Sequence, residues 1–465
     1  MLKHSNWRRV SLSLLLVICG AITATSQTFQ KIFTFNGTNG ESPLAMSLTQ
    51  GTDGGLYGTT VGGGLYGSGT IFRISQAGLR TLFNFNASPG TGPATSLIQA
   101  NDGEYYGTSS GDGPNNWGTV FKITARGNLT TLYSFCASGT CTDGMEPHAS
   151  LLQASDGNFY GSTMEGGDLT CQAGFGCGLL FKITPQGDFT IVHVFEGIDG
   201  RTLATPLIQA DDGNIYGATL QGGTYDFGTI FKLTLSGQLT TLHSFNYSDG
   251  YAPTSLIQAL DGDLYGVTAN GGAYAGGAFF KLSLGRGLAL LHSFNSDEGQ
   301  SPAPGLIQAT DGNFYGTTQV GGQNLAGTVF QLTASGAITT LHNFAVVDGT
   351  NPSGGLMQDT NGLFYGGTVF GGAKNDGTLF SLDTGLKPFV KLARNSGRSG
   401  SAQTILGQGF MSATAVFFNG TAAAFTVISD SFLKATVPPG ATTGYVTVTT
   451  STGTLTSNRL FRVIP

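Results

Sequence analysis

The stretch Leu306–Gly322, LIQATDGNFYGTTQVGG, decides the fold because close copies of it recur along the chain. The copy at 151–167 reads LLQASDGNFYGSTMEGG. When the copies are aligned on their Tyr-Gly pair, successive pairs lie 49, 54, 56, 49, 50 and 50 residues apart. The aligned tyrosines are Tyr57, Tyr106, Tyr160, Tyr216, Tyr265, Tyr315 and Tyr365. Seven copies of a unit near fifty residues are typical of a β-propeller.

Each repeat contains four runs with the alternation of a β-strand. In Thr254–Asp297, Asp261-Gly262 separates two apolar runs, which is a hairpin signal. No helical period appears between residues 27 and 465. The sequence therefore predicts an all-β fold in which a seven-bladed β-propeller has four antiparallel strands in each blade.

The two ends of the repeat region predict how the ring closes. The segment FQKIFTFNG at 29–37 resembles an isolated fourth strand, whereas the last repeat has three strands and ends in GTLFSLDTG at 377–385. We therefore expect the N-terminal strand to complete the last blade, which would remove the free edges of an open sheet.

The residues of the opening motif have structural roles in this prediction. Asp311-Gly312 forms the hairpin turn, and Phe314 and Tyr315 point to opposite faces of the blade, each towards a neighbouring blade. Gly316 leaves room for a close approach. A packing Phe follows in the third strand of every repeat, at positions 72, 121, 181, 231, 280, 330 and 380.

The N-terminus and the charge balance restrict the class of protein. Residues 1–26 combine three basic residues with the apolar run VSLSLLLVICGAITA, which predicts a secretory signal peptide. No later stretch is long and apolar enough for a membrane helix. Residues 27–465 have 18 Lys and Arg against 27 Asp and Glu, a net charge of −9, which argues against nucleic acid as a partner.

Four cysteines follow the predicted signal peptide. In an exported chain their spacing favours the disulfides Cys136–Cys141 and Cys171–Cys177. A zinc site is the less favoured alternative, because structural zinc pairs are usually closer in sequence. Both pairs lie in the two longest repeats, so insertions explain the steps of 54 and 56 residues.

The repeat resembles a known family. The unit SLIQAxDGNxYGTTxxGGxxxxGTVFKIT followed by LTTLHSF is similar to the Gloeobacter–Verrucomicrobia type tandem repeat of exported bacterial proteins, over about residues 27–385. This resemblance implies an extracellular or surface protein, and it supplies no activity.

The fifty-residue rhythm stops after Leu386. Asn419-Gly420 between apolar runs and the alternating GYVTVTT predict a β-sandwich. The elements TILGQGF, FNG and ATVPPGATTGYVTV resemble an IPT/TIG domain, which has an immunoglobulin-like fold. We therefore expect a signal peptide at 1–26, a propeller at 27–387 and an IPT/TIG-like domain at 388–465, which the resemblance describes as a spacer or adhesive module.

Other candidate sites are better explained by structure. His193, His243, His292 and His342 recur in the fourth strand, but other repeats carry Phe or Tyr there, so packing is favoured over a metal ring. The Asp-Gly pairs are favoured as turns over calcium ligands. The few Glu residues show no repeat logic that would place a glycosidase pair. No catalytic residue, metal or cofactor is predicted.

The loop between the second and third strands keeps its Gly residues and varies elsewhere. Candidate ligand-binding residues there are Tyr66, Trp117, Tyr225, Tyr274 and Asn324. Exposed aromatic and amide side chains suit a sugar or a peptide, although the rings could instead cover the loop bases. We expect a secreted or cell-surface binding protein without enzymatic activity, whose ligand is a carbohydrate or another surface polymer. The alternatives are a propeller glycosidase or lyase and a purely structural surface protein.

Overall fold

The computed structural model describes residues 27–43, 48–93 and 95–464, and consists almost entirely of strands. The predicted signal peptide lies outside these residues. Seven antiparallel sheets follow one another along the repeats, and each forms one blade, numbered here in chain order. This confirms the predicted all-β propeller.

The blades have the following strands, from the innermost to the outermost. Blade 1 contains β2 (Thr49–Gln50), β3 (Leu56–Thr60), β4 (Thr70–Ser75) and β5 (Gly78–Asn84). Blade 2 contains β6 (Ile98–Gln99), β7 (Tyr105–Ser109), β8 (Thr119–Ile123) and β9 (Leu129–Ser134). Blade 3 contains β10 (Leu152–Gln153), β11 (Phe159–Thr163), β12 (Leu179–Ile183) and β13 (Phe189–Val194). Blade 4 contains β14 (Ile208–Gln209), β15 (Ile215–Thr219), β16 (Thr229–Leu233) and β17 (Leu239–Ser244).

Blades 5 to 7 complete the ring. Blade 5 contains β18 (Tyr251–Gln258), β19 (Leu264–Asn270), β20 (Ala278–Ser283) and β21 (Gly287–Ser293). Blade 6 has a divided innermost strand and contains β22 (Gln300–Pro302), β23 (Ile307–Gln308), β24 (Phe314–Val320), β25 (Thr328–Leu332) and β26 (Ile338–Asn343). Blade 7 contains β27 (Met357–Gln358), β28 (Phe364–Thr368), β29 (Thr378–Asp383) and the N-terminal strand β1 (Thr28–Thr34).

The predicted closure of the ring is confirmed. Strand β1 pairs antiparallel with β29, with Thr28 opposite Asp383 and Thr34 opposite Thr378. The ring of Phe29 also stacks on His342 of blade 6, with centroids 3.6 Å apart. The first strand of the chain is therefore held both by its own blade and by the blade before it.

The Tyr-Gly pair has the packing role that the sequence predicts. Tyr315 stacks on Phe364 of the next blade at 4.4 Å, while Phe314 packs against Tyr265 of the previous blade at 4.5 Å. Gly316 lies opposite Phe330, and a Cβ at Gly316 would come within 2.6 Å of the Phe330 ring. The glycine is therefore required by the ring that covers it.

The Asp-Gly turns are also explained without a ligand. Asp311 accepts a hydrogen bond from the backbone N–H of Asn313 at 3.1 Å and another from the Tyr315 hydroxyl at 2.8 Å. Five further repeats have the same pair of bonds, centred on Asp53, Asp102, Asp156, Asp212 and Asp261. The carboxylate thus orders the turn and satisfies a buried tyrosine.

Residues 391–464 form a β-sandwich. One sheet contains β30 (Lys391–Leu392), β32 (Ala402–Leu406), β36 (Phe432–Thr436) and β35 (Phe425–Ser429). The other contains β34 (Thr421–Ala422), β33 (Ala415–Phe418), β37 (Val446–Thr450) and β38 (Gly453–Thr456). The parallel pair β31 (Ser396–Arg398) and β39 (Arg462–Ile464) lies beside them. The core includes Ile405, Leu433, Val416 and Val448.

Candidate functional site

The strand order gives the propeller two different faces. The turns between the first and second strands, which carry the Asp-Gly pairs, lie on one face, here called the turn face. Antiparallel pairing places the loops between the second and third strands on the opposite face, together with the connections between blades. This second surface is called the loop face, and all five predicted ligand-binding residues lie on it.

The C-terminal sandwich covers the turn face. Arg394 donates a hydrogen bond to the Asn101 side chain of blade 2, and Arg459 donates to the carbonyl of Gln258 in blade 5. Further bonds reach the turns of blades 1, 4 and 7, through Ser431, Arg462 and Gln408. These hydrogen bonds reach five of the seven blades, so the sandwich lies across this face of the ring. The loop face is therefore the accessible one.

The seam between the last and first blades forms the centre of this contact. In six blades the glutamine of the innermost strand accepts a hydrogen bond from a backbone N–H of the preceding blade: Gln99, Gln153, Gln209, Gln258, Gln308 and Gln358. At the seam, Gln50 instead donates to the Thr360 hydroxyl at 2.7 Å. Gln408 of the sandwich donates to the same hydroxyl at 2.9 Å, and the Phe389 N–H donates to the Thr360 carbonyl at 3.0 Å.

An acidic residue also replaces the usual alanine at this seam. Asp359 occupies the position of Ala309 and Ala259 and is 6% exposed. Burial raises the pKa of Asp359 to about 6, against the effects of the Thr360 N–H, the Thr360 hydroxyl and the charge of Lys391. Burial likewise lowers the pKa of Lys391 in the sandwich, against the charge of Asp359.

Three of the predicted ligand-binding residues lie at the tips of their loops. Tyr66, Tyr225 and Tyr274 occupy equivalent positions in blades 1, 4 and 5 and are 57%, 57% and 63% exposed. Trp117 is 37% exposed and lies two positions further along its loop. Asn324 shares the tyrosine position and is exposed, but its side-chain amide donates to the Phe344 carbonyl at 3.0 Å.

The loops hold this shape through glycines with positive φ. Gly222 has a φ of +81°, and a Cβ there would lie 2.6 Å from the Gly197 carbonyl of the preceding connection. The adjacent Gly223 donates its N–H to the same carbonyl at 2.8 Å. Each loop is therefore tied to the neighbouring connection at its base, while its tip remains in solvent.

The junction of blades 4 and 5 carries aromatic residues that the sequence analysis did not single out. The ring of Phe227 lies 5.5 Å from Tyr247 and 5.3 Å from Tyr251. The Tyr247 carbonyl accepts a hydrogen bond from Gly272, two residues before Tyr274. These residues could have been found by comparing the repeats, because most other connections have small or polar residues at the positions of Tyr247 and Tyr251.

The recurring histidines pair with acids on the loop face. His193, His243 and His342 lie 2.7, 3.0 and 2.9 Å from the carboxylates of Asp199, Asp249 and Asp348, and His292 lies 3.0 Å from Glu298. Blade 2 has the Tyr133 hydroxyl bonded to Asp143 at the same place. Among the described residues, no group of three or more His, Cys, Asp or Glu side chains is arranged to hold a metal ion.

A second polar group lies at the connection between blades 2 and 3. His148 Nε2 lies 3.8 Å from the Glu146 carboxylate. Burial lowers the pKa of His148, against the charge of Glu146. Burial and then the charge of Glu146 raise the pKa of Glu165, whose backbone pairs with Met145. The carboxylates of Glu146 and Glu165 are therefore close enough to interact, although neither residue recurs in the other repeats.

Both predicted disulfides are formed, as Cys136–Cys141 and Cys171–Cys177. The Cys141 carbonyl also accepts a hydrogen bond from Gly167 of the blade 3 loop at 3.1 Å. The two disulfides and this hydrogen bond together hold the two insertions in place beside Glu146. Disulfides of this kind indicate folding in an oxidising compartment. Across residues 27–43, 48–93 and 95–464, no helix has the length and apolarity that a membrane span requires.

The repeats and the sandwich match known families. The Gloeobacter/Verrucomicrobia repeat matches residues 20–211 and 203–424. This chain belongs to the Gloeobacter/Verrucomicrobia repeat family. The IPT/TIG domain matches residues 389–463 of this repeat protein. No match was found among curated protein sequences.

Solved structures show the fold of this Gloeobacter/Verrucomicrobia repeat protein at low sequence identity. A streptogramin B lyase structure is 13% identical with a TM-score of 0.54, covering 77% of this chain and 97% of its own. The extracellular domain of the two-component system BT3049 from B. thetaiotaomicron is 11% identical with a TM-score of 0.51. That alignment covers 94% of this chain and 58% of the B. thetaiotaomicron chain, so this protein spans under two thirds of it.

Proposed function

We propose that the protein is a secreted or cell-surface binding protein that recognises a carbohydrate or another extracellular polymer through its loop face. The observation that carries the proposal is the difference between the two faces of the propeller. The IPT/TIG sandwich covers the turn face, whereas exposed tyrosines stand on rigidly anchored loops of the other face. Rigid aromatic side chains offer contact area at little cost in conformational entropy.

The proposed division of the chain is a signal peptide at 1–26, a propeller at 27–387 and a sandwich at 388–465. The disulfides support export, and an extracellular domain among the structural neighbours has the same fold. The sandwich would act as a spacer whose orientation is fixed by its contacts with the turns.

The test is binding of residues 27–465 to immobilised polysaccharides and cell-wall fractions. Replacement of Trp117, Tyr225 and Tyr274 together by Ala should weaken binding at least tenfold, because the exposed rings supply the contact. The control is Leu284→Ala, which removes a side chain that is 51% exposed in an outer turn of the opposite face. Unchanged binding by both the triple variant and Tyr66→Ala would contradict the proposal.

A second candidate function is hydrolysis of a polysaccharide at the connection between blades 2 and 3. It is favoured by the neighbouring Glu146, His148 and Glu165, where burial lowers the pKa of His148 and raises the pKa of Glu165. Release of reducing ends from a bound polysaccharide, abolished by Glu165→Gln, would support hydrolysis. Binding without any release would leave the protein as a binding protein alone.

A further inference from the structure

The junction of blades 4 and 5 departs from the repeat in a consistent direction. The position of Tyr251 is held in the other blades by Glu41, Thr91, Met145, Arg201, Gln300 and Thr350. The position of Tyr247 is held by Gly37, Ala87, Cys141, Gly197, Ser296 and Val346. The position of Phe227 is held by Ser68, Trp117, Cys177, Gly276, Ala326 and Asp376. Only this junction has aromatic residues at all three positions.

The three rings form one continuous surface. Phe227 contacts both tyrosines, and the rings of Tyr247 and Tyr251 lie 6.4 Å apart. Tyr225 and Tyr274, which are more than half exposed, stand on the flanking loops of blades 4 and 5. We call these five residues the aromatic patch. Its partly buried base and exposed flanks are the arrangement of a binding surface rather than of a core.

Tyr247 has an unfavourable backbone conformation for its side chain. Its φ is +67°, and the equivalent Gly37 and Gly197 have φ values of +75° and +86°. A non-glycine residue in this region costs about 1 kcal/mol or more. The side chain is 40% exposed, so its ring is only partly buried. Strain of this kind is typical of residues retained for binding.

The charged groups around the patch are already paired. Arg201 donates to both carboxylate oxygens of Asp226, from Nε at 3.1 Å and from its terminal nitrogen at 2.8 Å. Asp249 is bonded to His243 at 3.0 Å. Within the described part of this junction no cation is free to attract an anionic polymer, and residues 27–465 have a net charge of −9. An uncharged ligand is therefore favoured.

We propose that the aromatic patch binds a neutral glycan chain, with Tyr225, Tyr247 and Tyr274 as the surfaces on which sugar rings stack. This inference rests on the proposed function and names the ligand class and the sector of the loop face. A pyranose ring presents an apolar C–H face and a rim of hydroxyls. The tyrosine rings match that face, and their hydroxyls and the Asp226 carboxylate match the rim.

The experiment measures binding of residues 27–465 to neutral polymers (laminarin, xylan, galactomannan and amylose) and, in parallel, to polygalacturonate, a basic peptide and lipid vesicles. The first variant is Tyr247→Gly, which removes the ring and relieves the strained φ. It should weaken glycan binding at least tenfold while the thermal unfolding midpoint stays the same or rises. The second variant, Tyr225→Ala with Tyr274→Ala, removes exposed rings and should have a similar effect on binding.

The matched control is Leu325→Ala, which removes a side chain that is 74% exposed in the equivalent loop of blade 6. It should leave binding within twofold of the wild type. Binding to a neutral glycan that is kept by both patch variants, but is lost when Tyr66 of the blade 1 loop is replaced by Ala, would overturn this inference and leave the proposed function standing. Binding only to polygalacturonate, the basic peptide or vesicles would overturn the inference that the ligand is a neutral glycan. Binding to no polymer would overturn both this inference and the proposed function.

Discussion

Asp359 of blade 7 and Lys391 of the C-terminal sandwich interact across the boundary between the two, where burial disfavours both charges. The pair stands at the seam at which the propeller ring closes and the sandwich begins. Five of the other blades have alanine in place of Asp359: Ala100, Ala154, Ala210, Ala259 and Ala309. The substitution therefore serves the contact with the sandwich rather than the blade itself.

We expect Asp359 and Lys391 to be energetically coupled. Lys391→Met should destabilise the protein, because it leaves the Asp359 carboxylate buried without its counter-charge. In the Asp359→Ala background the same change should cost less, with a coupling energy of about 1–3 kcal/mol. Urea unfolding of the four proteins at pH 7 measures this coupling. Additive effects of the two substitutions would show that the charges do not interact.

The pH dependence of stability should show the raised pKa of Asp359. The folded state holds this proton up to about pH 6, whereas the unfolded state releases it near pH 4. The contribution of Asp359 to the free energy of unfolding is therefore fully present below pH 4. It is lost as the pH rises through 6, which lowers the stability by about 2 to 3 kcal/mol. Asp359→Asn should lack this loss, so the difference between the two proteins should change over pH 4–6. A constant difference would contradict the assignment.

Asp249 should show the opposite dependence. Burial raises its pKa, but the hydrogen bonds from His243 and from the Asn246 N–H outweigh burial and lower the pKa below its usual value. Its contribution is present above pH 4 and is lost as the pH falls through the folded pKa. Asp249→Asn should cost about 1 kcal/mol at pH 6 and little at pH 2. A cost that persists at pH 2 would point to packing instead of charge.

Gly316→Ala should be strongly destabilising for steric reasons. Its Cβ would collide with the Phe330 ring, and the expected cost is about 1–3 kcal/mol in the free energy of unfolding. Combining it with Phe330→Leu tests the cause, since the smaller side chain vacates the space. If the double variant is less stable than the sum of the two single effects predicts, the collision is not the reason for the glycine.

The repeats predicted most of the propeller because the residues that make the same packing contacts recur in all seven copies. Tyr315, Phe330 and Gly316 touch one another or adjacent blades, and each copy of the motif confirms the others. The disulfides were predictable because each joins residues close in sequence. The position of the sandwich was not, since the bond from Arg394 to Asn101 joins residues 293 positions apart with no repeated pattern.

The candidate site was predicted in outline only. Variable loops indicated the loop face, and the structure places Tyr66, Tyr225 and Tyr274 at its exposed tips. Asn324 has the same position in its loop, yet its amide bonds to the chain. Alignment on the loop alone missed Tyr247 and Tyr251 because they lie in the connection between blades. Their rings reach Phe227 of the loop only in three dimensions.

The pairing of β1 with β29 also determines when the molecule can finish folding. Thr28 is synthesised early, but its partner Asp383 follows 355 residues later. Bringing the ends of so long a segment together costs roughly 5 kcal/mol of chain entropy if the segment is flexible. Blades that form first shorten the distance to be closed. Strand β1 therefore stays an unpaired, aggregation-prone edge until blade 7 has been synthesised. We expect closure of the ring to be the slow step that limits folding.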